Sequence, residues 1–541
     1  MASHEAEPAV GIDLGTTYSA VAFLDSTGRP ETIPNAEGSL TTPSAVFFDR
    51  DGPIVGVEAM RAGEFEPDRL AQFAKRDMGE LTYHKWIRGE PMPPEIVQAF
   101  VLKKLKSDAE RKLGPITKAV VTVPAFFNEP CRKATQDAGL LADLDVIDII
   151  NEPTAAAITY GFEHGFINQR GETDQLERVL VFDLGGGTFD VTIMEIDGPV
   201  YTAIATAGDV YLGGYDWDSR VAAYVAEQYC DQFGTDIAQD AAAMQALLRT
   251  ANETKHALSA RKEMSIFFNH EGNRLKLNMS RDQFEDLTSD LLDRTMMTVK
   301  MLLSESGFEW SDITRILLVG GSTRMPMIEE TLVQQSGMPV DRSVSPDEAV
   351  AHGAALYAGL LLESPETTKF GMSLTNVNSH DLGVLAIEKA TGRPRKQTMI
   401  PRNTALPATH KHRFTTRKDN QPSIKVDIIE GGDDSGQNAI NIGKCVVTEL
   451  PQGLPSGTAV EVEFEYNQNG RLTVSAWVPN IDRDAKLDLD RSAGLTGEAL
   501  ADWKKKIDQG MPDGGGDEME ELEKDDDDEI IDLDGEFDVV D

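Results

Sequence analysis

An internal repeat is the feature that most restricts how this sequence can fold. The segment Val10-Gly-Ile-Asp-Leu-Gly-Thr-Thr-Tyr-Ser-Ala-Val-Ala-Phe23 reappears as Leu180-Val-Phe-Asp-Leu-Gly-Gly-Gly-Thr-Phe-Asp-Val-Thr-Ile193. Each copy is an apolar run, an Asp-Leu-Gly turn with small or hydroxyl residues, and a second apolar run, which predicts a β-hairpin. Later segments also correspond in order. Residues 118–124 and 315–321 are typical of buried strands, and 151–157 and 346–355 are small-residue helix starts with Pro near the first turn. Two similar α/β lobes within residues 8–363 are therefore expected.

The rest of the chain changes character twice. Residues 216–310 carry long helical periodicity, as in 217–233 and 282–306. After residue 363 the pattern becomes one of short alternating strands with turn signals, such as Val460–Tyr466 followed by Asn469-Gly470. The sequence predicts a flexible N-terminus over 1–8, a nucleotide-binding domain over 9–363, a linker over 364–376, a β-sandwich domain over 377–490, a short helix over 491–510 and a disordered acidic tail over 511–541.

Charge and cysteine content exclude several functions. At roughly 150 residues per domain, 541 residues predict three or four folding units. The formal net charge of −40 argues against a nucleic-acid binder, because phosphate contacts need a basic surface. Residues 512–541 alone hold 16 Asp and Glu against one Lys. The 3 cysteines lie far apart, with neither disulfide nor metal-ligand spacing. With no signal peptide or membrane-spanning run visible, we expect a soluble, cytoplasmic protein that binds no membrane.

The repeated turns predict a nucleotide triphosphate site. Glycine lets the backbone approach a phosphate, and successive N–H groups in a tight turn bind anions. Asp13 and Asp183 would hold Mg²⁺ through its waters, because this ion keeps several waters and takes few carboxylates. The hydroxyls of Thr16, Thr17 and Thr188 add donors. Ordinary glycine turns are the alternative, which two copies in a duplicated frame disfavour.

A second glycine turn, in Val319-Gly-Gly-Ser-Thr-Arg-Met-Pro326, ends one predicted strand and opens a helix. Gly320 and Gly321 would let a flat base approach the backbone, while Arg324 stacks on it and Ser322 donates a hydrogen bond. A simple turn before a helix explains this motif equally well when it is taken alone.

The motifs together closely resemble the ATPase domain of the seventy-kilodalton heat-shock (DnaK-type) chaperones. The similarity runs in order from about residue 9 to 363 and extends into the β-domain. It is carried by Ile12–Ser19, Val121–Phe127, Ile150–Ala157, Phe182–Asp190, Leu212–Asp216, Val319–Arg324, Ile400–Thr404, Asp419–Gln421 and Asn469–Ser475. The resemblance implies an α/β actin-like (ribonuclease H-like) duplicated ATPase domain, a β-sandwich domain and a disordered acidic tail.

The resemblance also implies a role for each matching residue. Asp13, Asp183 and Glu152 would position hydrated Mg²⁺, and Asp190 would orient or deprotonate the attacking water. Lys75 matches the family's catalytic lysine, although on sequence alone it would be a solvated surface charge. Pro124 and Arg132 match the relay between domains. Phosphate contacts would come from Gly15, Thr16, Thr17, Tyr18, Gly185, Gly186, Gly187, Thr188, Gly213 and Gly214, and adenosine contacts from Lys255, Ser259, Gly320, Gly321, Ser322, Arg324 and Asp347.

The sequence departs from the family pattern at several positions. Asn252 stands where a ribose-binding Glu is usual, and His256 replaces a common basic or apolar residue. The linker lacks the family's leucine run, and the helical lid is missing, since only about fifty residues follow the sandwich. The apolar residues expected to line a peptide groove are Leu382, Val384, Phe414, Ile424 and Val426, for which a role in the sandwich core is an equal alternative.

The predicted function is an ATP-dependent stress-response chaperone that hydrolyses ATP to ADP and phosphate to control binding of unfolded polypeptide. Its implied cofactors are ATP, Mg²⁺ and K⁺, and its implied partners are unfolded or extended polypeptide, a J-domain co-chaperone and a nucleotide-exchange factor. A nucleotide-switched scaffold or co-chaperone that binds one specific protein is the alternative. Another actin-fold enzyme, such as a sugar kinase, is disfavoured by the β-domain. The ending Phe537–Asp541 resembles a co-chaperone-binding motif, but a solubilising tail fits it better.

Overall fold

The computed structural model describes residues 9–166, 176–362, 372–448, 450–467, 472–479, 481, 484–488, 495–511 and 537–539. The chain divides into two compact units. The first comprises Met1–Phe127, Ala134–Leu374 and Ala499–Met511, and the second comprises Asn128–Lys133, Thr375–Glu498 and Pro512–Asp541. Within the described residues, no helix is both long and apolar enough to cross a membrane. Most of the predicted linker and tail lies outside the described residues.

The first half of the first unit is an α/β lobe. Its strands are β1 (Ala9–Asp13), β2 (Tyr18–Leu24), β3 (Pro30–Thr32), β4 (Thr42–Pro43), β5 (Ala45–Asp49), β6 (Gly52–Val55), β7 (Leu70–Gln72), β8 (Lys118–Val123) and β9 (Asp145–Asn151). Its helices are α1 (Val57–Ala62), α2 (Pro94–Leu113), α3 (Glu129–Leu141) and α4 (Glu152–Glu163). Strands β6, β5 and β7 form a small separate sheet.

The second half is a further α/β lobe. Its strands are β10 (Glu177–Leu184), β11 (Phe189–Asp197), β12 (Val200–Asp209), β13 (Glu263–His270), β14 (Asn273–Ser280), β15 (Arg315–Val319), β16 (Val340–Asp341) and β17 (Ser373–Thr375). Its helices are α5 (Gly214–Phe233), α6 (Ala241–Ala260), α7 (Arg281–Leu287), α8 (Ser289–Ser306), α9 (Pro326–Ser336) and α10 (Ala349–Leu362). The helices predicted over 217–233 and 282–306 are confirmed as α5 and as α7 with α8.

The main sheets of the two lobes have the same strand order. One runs β3-β2-β1-β8-β9 and the other β12-β11-β10-β15-β16, with β17 added beyond β12. In each sheet the repeated hairpin is antiparallel, and the first hairpin strand pairs in parallel with the later buried strand. Both predicted hairpins and both predicted buried strands are therefore confirmed. Because the Asp-Leu-Gly turns follow β1 and β10 in equivalent places, the two sheets present them from equivalent edges.

Two helices rich in small residues, α4 and α10, pack between the two lobes. Helix α10 packs on β1, β2 and β8 of the first sheet, where Ala351 and Ala355 are buried with Ala20 and Ala22. Helix α4 begins with Pro153 in its first turn and packs on α10 and β10. A Cβ on Gly353 of α10 would stand 1.8 Å from the Ala155 carbonyl oxygen, so glycine is needed for this close approach.

The second unit consists mainly of β-strands. They are β18 (Leu382–Ile387), β19 (Pro394–Ile400), β20 (Ala408–Thr416), β21 (Ile424–Gly431), β22 (Ala439–Val447), β23 (Ala459–Tyr466), β24 (Leu472–Trp477), β25 (Asp484–Asp488) and β26 (Phe537–Val539). The order is β22-β21-β18-β26-β20-β23-β24-β25, with β19 on β18. Strands β23 and β24 pair as the predicted hairpin, although the residues of its turn lie outside the described ones.

The short helix that follows the β-strands, α11 (Gly497–Asp508), belongs almost entirely to the first unit. Ile507 is 3% exposed and Met511 is 7% exposed. Around them Lys504 Nζ lies 2.9 Å from a carboxylate oxygen of Asp143, and Lys103 Nζ lies 2.9 Å from Asp508 Oδ1. One buried apolar side chain with peripheral ion pairs thus fixes the helix on the α/β unit.

Candidate functional site

A cavity of about 730 Å³ opens where the repeated turns of the two lobes face each other. This volume lies within the usual range for a small-molecule site. The predicted residues that line it are Asp13, Gly15, Thr16, Thr17, Tyr18, Lys75, Glu152, Asp183, Gly185, Gly186, Thr188, Gly214, Lys255, Ser259, Gly320, Gly321, Ser322, Arg324 and Asp347. Gly187 and Gly213 lie beside these residues, and Asp190 is paired with Asp183 across β10 and β11.

Glycine is required where the turns meet. A Cβ on Gly186 would stand 1.8 Å from Thr17 Oγ1, and one on Gly213 would stand 2.4 Å from the Gly187 nitrogen. The contact at Gly213 is with backbone and excludes a side chain there, whereas a side chain at Gly186 would require Thr17 to move. Hydrogen bonds fix the same region, because the Gly214 amide donates to the Gly185 carbonyl at 3.0 Å and Ser322 Oγ donates to it at 2.8 Å. The turns therefore line the cavity with closely packed backbone and threonine side chains, and hydrogen bonds within and between the turns hold this cradle together.

Three carboxylates from different elements converge at one end of the cavity. Asp13 ends β1, Asp183 lies in β10 and Glu152 begins α4. Asp183 and Glu152 are buried and Asp13 is half-buried. Burial and the neighbouring charge of Glu152 raise the pKa of Asp13 to about 7. Burial, with repulsion from Glu152, Asp190 and Asp13, raises the pKa of Asp183 well above its usual value. This end of the cavity therefore favours a cation.

The donor set fits a hydrated divalent ion. Within the described residues, no group of three or more His, Cys, Asp or Glu side chains is arranged to ligate a metal directly. Carboxylates that are buried close together but do not share one ligand point suit an ion that keeps its waters, as Mg²⁺ does. Asp13 and Asp183 are the residues that would hold such an ion.

Lys75 lies in the same cluster. Its ammonium group forms an ion pair with Glu152, and its side chain is 3% exposed. The residue sits in a short 3-10 helix, Ala74–Asp77, that follows Phe73 in the left-handed conformation. The surface position that the sequence alone suggested for Lys75 is therefore wrong, because the fold buries this charge among carboxylates.

Asp190 and Thr188 follow the second repeated turn. Asp190 is 1% exposed, and its Oδ1 accepts a hydrogen bond from the Phe126 amide at 3.0 Å. Asp190 lies opposite Asp183 in the β10–β11 pair, and its charge contributes to the raised pKa of Asp183. A buried carboxylate that accepts a backbone hydrogen bond keeps a fixed orientation, as a residue that positions water requires.

Another part of the cavity lining carries a second buried ion pair. Lys255 Nζ lies 2.8 Å from Asp218 Oδ2 and donates to the Gly214 carbonyl at 2.8 Å. Asn252 Nδ2 donates to the same Asp218 oxygen at 2.9 Å. Arg324 makes two hydrogen bonds to Asp347, of 2.8 and 2.6 Å, and both side chains are nearly half exposed. These residues thus supply a planar guanidinium and several polar groups to the cavity lining.

Sequence reasoning missed Asp218 as a lining residue. It lies one turn into α5, four residues after Gly214, so it faces the cavity together with the glycine turn. The proximity of Asp218 to a Leu-Gly-Gly turn at a helix start was the only local signal. His256 also lines the cavity, and burial with the nearby charge of Lys255 lowers its pKa.

The remaining predicted residues lie outside the cavity. Pro124 is buried just after β8, and Arg132 is half-buried in α3. Leu382, Val384, Phe414, Ile424 and Val426 are all 0–1% exposed and pack together in the core of the β-rich unit. Their burial favours the core alternative over a groove lined by these five side chains.

The fold and the cavity together define the class: a two-lobed α/β unit with a phosphate-type cradle between repeated turns, followed by a β-rich unit. A family model described as Hsp70 protein matches residues 9–530, which is most of the chain. The chain therefore belongs to the Hsp70 family, and the resemblance stated from the motifs is confirmed. Membership supports ATP binding, a general ATPase activity and a role in protein folding.

Proposed function

We propose that the protein hydrolyses ATP to ADP and phosphate in this cavity and uses the cycle to control binding of unfolded polypeptide by its β-rich unit. The proposal depends mainly on one observation. The cavity is lined by Asp13, Glu152, Asp183 and Lys75 together with the glycine and threonine turns. The shared strand order of the two sheets supports a duplicated actin-like ATPase domain. Phosphoryl transfer depends on positioning and charge neutralisation, which such a site supplies.

Each group would have a distinct task in hydrolysis. The turns at 15–18 and 185–188 would bind the phosphates through backbone N–H groups and hydroxyls, and Asp13 and Asp183 would hold a hydrated Mg²⁺. That ion would neutralise phosphate charge. Lys75 would stabilise the negative charge on the transferred group, while Glu152 holds its ammonium in place. Asp190 would orient the attacking water and accept its proton.

The part of the cavity that Lys255 and Arg324 line would take the adenosine. Arg324 offers a planar face for the base, and Lys255 and Ser259 lie on α6 where they would meet the ribose. Asn252 stays neutral where a family member commonly has Glu, so it would hydrogen-bond a ribose hydroxyl without adding repulsion toward the phosphates. The two buried ion pairs would have different roles. Lys75 would act at the reacting phosphate, and Lys255 would lie near the sugar.

A nucleotide-switched scaffold that binds one specific protein is the second candidate. The five predicted groove residues are buried core side chains and therefore line no open apolar groove. Their burial favours the scaffold over the chaperone. Both candidates need the same ATP site. They differ in whether many apolar peptides or a single partner engages the β-rich unit.

ATPase measurements with and without a panel of unfolded peptides distinguish the two candidates. Stimulation by several unrelated apolar peptides supports the chaperone function. Turnover that no peptide changes contradicts it and supports the scaffold. Absence of any magnesium-dependent ATP hydrolysis contradicts both.

A further inference from the structure

The last strand of the chain occupies an unexpected place in the β-rich unit. Strand β26, Phe537–Val539, lies between β18 and β20. It pairs antiparallel with β20, placing Val539 opposite Phe414 and Asp538 opposite Thr415, and it pairs in parallel with β18 through Asp538 and Ile387. Three residues after a long acidic segment thus complete a sheet that the earlier strands leave open.

The position of β26 is a slot between two strand groups. On one side, β21 pairs with β18 only through Leu382–Leu385, so the end of β18 at Ile387 extends beyond it. On the other side, β23 covers one edge of β20, and the residues Phe414–Thr416 present the other. Among the described strands, β26 alone pairs with both groups. We call this position the strand slot, defined by Ile387 and Phe414–Thr416.

A strand slot of this kind accepts extended peptide through the backbone. An extended segment added between two strand edges gains main-chain hydrogen bonds on both sides, and these depend little on its sequence. An empty slot would expose unpaired N–H and C=O groups, which act as a template for other chains. The slot therefore needs an occupant, and the chain carries one at its own C-terminus.

Charge also favours the acidic tail as the occupant. The stretch 389–418, which contains β19 and β20, holds nine Lys and Arg and no Asp or Glu, in a chain with a net charge of −40. Some of these cations are already paired, as Arg395 is with Glu388 at 2.8 Å and Lys396 with Asp381 at 3.2 Å. Residues 512–541 carry 16 acidic residues and one Lys. Opposite charges attract over about a Debye length, about 8 Å at physiological salt, so an acidic segment that enters the strand slot gains from these cations.

We propose that the acidic C-terminal segment is an internal competitor that fills the strand slot through Phe537–Val539, so that any peptide entering the slot must displace it. The inference rests on the proposed function, in which the β-rich unit binds extended polypeptide. The occupant also defines the chemistry that the slot takes: an extended segment in which an acidic residue lies between apolar ones, as in Phe537-Asp-Val539. A tethered segment has an effective concentration of the order of millimolar, so it competes strongly even when its own affinity is modest.

Binding of a labelled tail peptide to the full-length chain tests the competition. The probe is a fluorescein-labelled peptide with the sequence of residues 532–541. The test variant is Asp538→Pro, because proline has no N–H and cannot pair in the middle of a strand. The matched control is Asp525→Pro, the same substitution in the same tail but outside β26. We expect Asp538→Pro to bind the probe at least tenfold more tightly than the wild type, and Asp525→Pro to match the wild type.

Equal affinity in the three chains, or no binding to any of them, overturns the proposal. A chain ending at Glu536 gives a second route, and it should bind the probe as Asp538→Pro does. Hydrogen exchange supplies a readout that needs no added peptide. The Thr416 amide donates to the Thr458 carbonyl on the β23 side, so by strand alternation the amide that faces β26 is that of Thr415, which lies opposite Asp538. The Thr415 amide should exchange at least tenfold faster in Asp538→Pro than in the wild type, and unchanged exchange there also contradicts the proposal.

A second probe separates this inference from the proposed function. An unrelated apolar unfolded peptide is titrated against the same chains. If it binds the wild type and Asp538→Pro equally, the chaperone function stands and the internal competitor is refuted. If it binds no chain and never stimulates the ATPase, while the tail probe shows its tenfold difference, the chaperone function fails and the slot is specific for the tail.

Discussion

Lys75 and Glu152 form a buried ion pair although 77 positions separate them in the chain. The lysine comes from the short helix after β7, and the glutamate is the first residue of α4, which packs between the two main sheets. The lysine side chain is 3% exposed and the glutamate side chain 10%. The ammonium group also lowers the pKa values of Asp13 and Asp183, which burial and mutual repulsion raise. One cation thus partly balances an otherwise acidic end of the cavity.

Replacing the lysine should separate ATP binding from hydrolysis. In Lys75→Met, a charge that stabilises the transition state is lost, whereas most phosphate contacts remain in the turns. We expect ATP affinity within threefold of the wild type and turnover at least tenfold lower, about 1.4 kcal/mol in the barrier. Equilibrium binding and single-turnover hydrolysis measure the two quantities separately.

The same substitution leaves Glu152 as an unpaired buried charge, which can cost about 3–5 kcal/mol of stability. The double variant Lys75→Met with Glu152→Gln removes that charge and should recover most of the melting temperature without recovering turnover. Equal loss of affinity and turnover in both variants would show that Lys75 is a ground-state ligand contact.

Asp183 should be essential for metal-dependent turnover. Its carboxylate lies in β10 beside Asp13 and has a raised pKa because negative charges surround it. Asp183→Asn keeps the shape and removes the charge, so we expect turnover at least tenfold lower and a higher magnesium concentration for half-maximal rate. The exposed Asp293 provides a matched control as Asp293→Asn. Wild-type magnesium dependence in Asp183→Asn would rule out its assigned role.

His256 should make nucleotide affinity depend on pH. Burial and the charges of Lys255 and Arg324 lower its pKa below 6.5, while Asp218 and Asp347 act in the opposite direction. The ring is therefore neutral at pH 7.5. His256→Arg adds a permanent cation to the cavity wall, where a cation over a base contributes about 0.5–2 kcal/mol. We expect the variant to bind ATP roughly threefold more tightly at pH 7.5.

The pH dependence of ATP affinity should differ between the wild type and His256→Arg. Acidification charges His256, so wild-type ATP affinity should rise toward that of His256→Arg as pH falls through the lowered pKa of His256, which lies below 6.5. The folding stability of the ATP-free protein changes in the opposite direction. The unfolded chain binds the proton on His256 more tightly than the folded chain does, so this contribution to stability is lost as pH falls. Parallel pH profiles in the two chains would exclude His256 as the cause.

The local part of the site could be predicted from sequence, and the reason is visible in the turns. Asp13, Thr16, Asp183 and Thr188 lie within single hairpins, so short-range patterning determines where their backbone goes. The hairpin β13–β14, in contrast, was missed within the window 216–310, because neighbouring helical periodicity dominates that segment. Local pattern alone could not resolve a short hairpin between long helices.

Features that depend on distant partners were not predictable. The burial of Lys75 follows from Glu152, and no residue near Lys75 in sequence indicates it. The sequence places Ser373–Thr375 in the linker, but these residues form β17 on the second sheet. They have only modest β-propensity, and pairing with the edge of that sheet makes them a strand. Strand β26 arises in the same way, because its pairing depends on the edges of β18 and β20 rather than on its own composition.

Helix α11 should contribute to the stability of the α/β unit. Ile507 is the one buried side chain of the helix, all of whose residues are described, and the ion pairs around it are partly exposed. Ile507→Ala should lower the free energy of unfolding by about 2 kcal/mol, at the low end for a buried Ile. Lys505→Ala, at an exposed position of the same helix, should change it by less than 0.5 kcal/mol, as surface substitutions usually do (about ±0.5). Urea unfolding measures both, and equal effects would show that α11 is not docked in solution.

The nucleotide should change peptide affinity, but modestly. Coupling between two ligands is commonly about 1–3 kcal/mol, and the linker without its leucine run argues for the low end, about fivefold. The hydrolysis-deficient Lys75→Met keeps ATP intact during the measurement. A fluorescent apolar peptide is titrated against this variant with ATP and with ADP, and weaker binding with ATP is expected. Because binding coupling is reciprocal, the peptide must weaken ATP affinity by the same factor. Identical peptide affinity in both nucleotide states would contradict the chaperone function, and a failure of reciprocity would show that the two titrations report different sites.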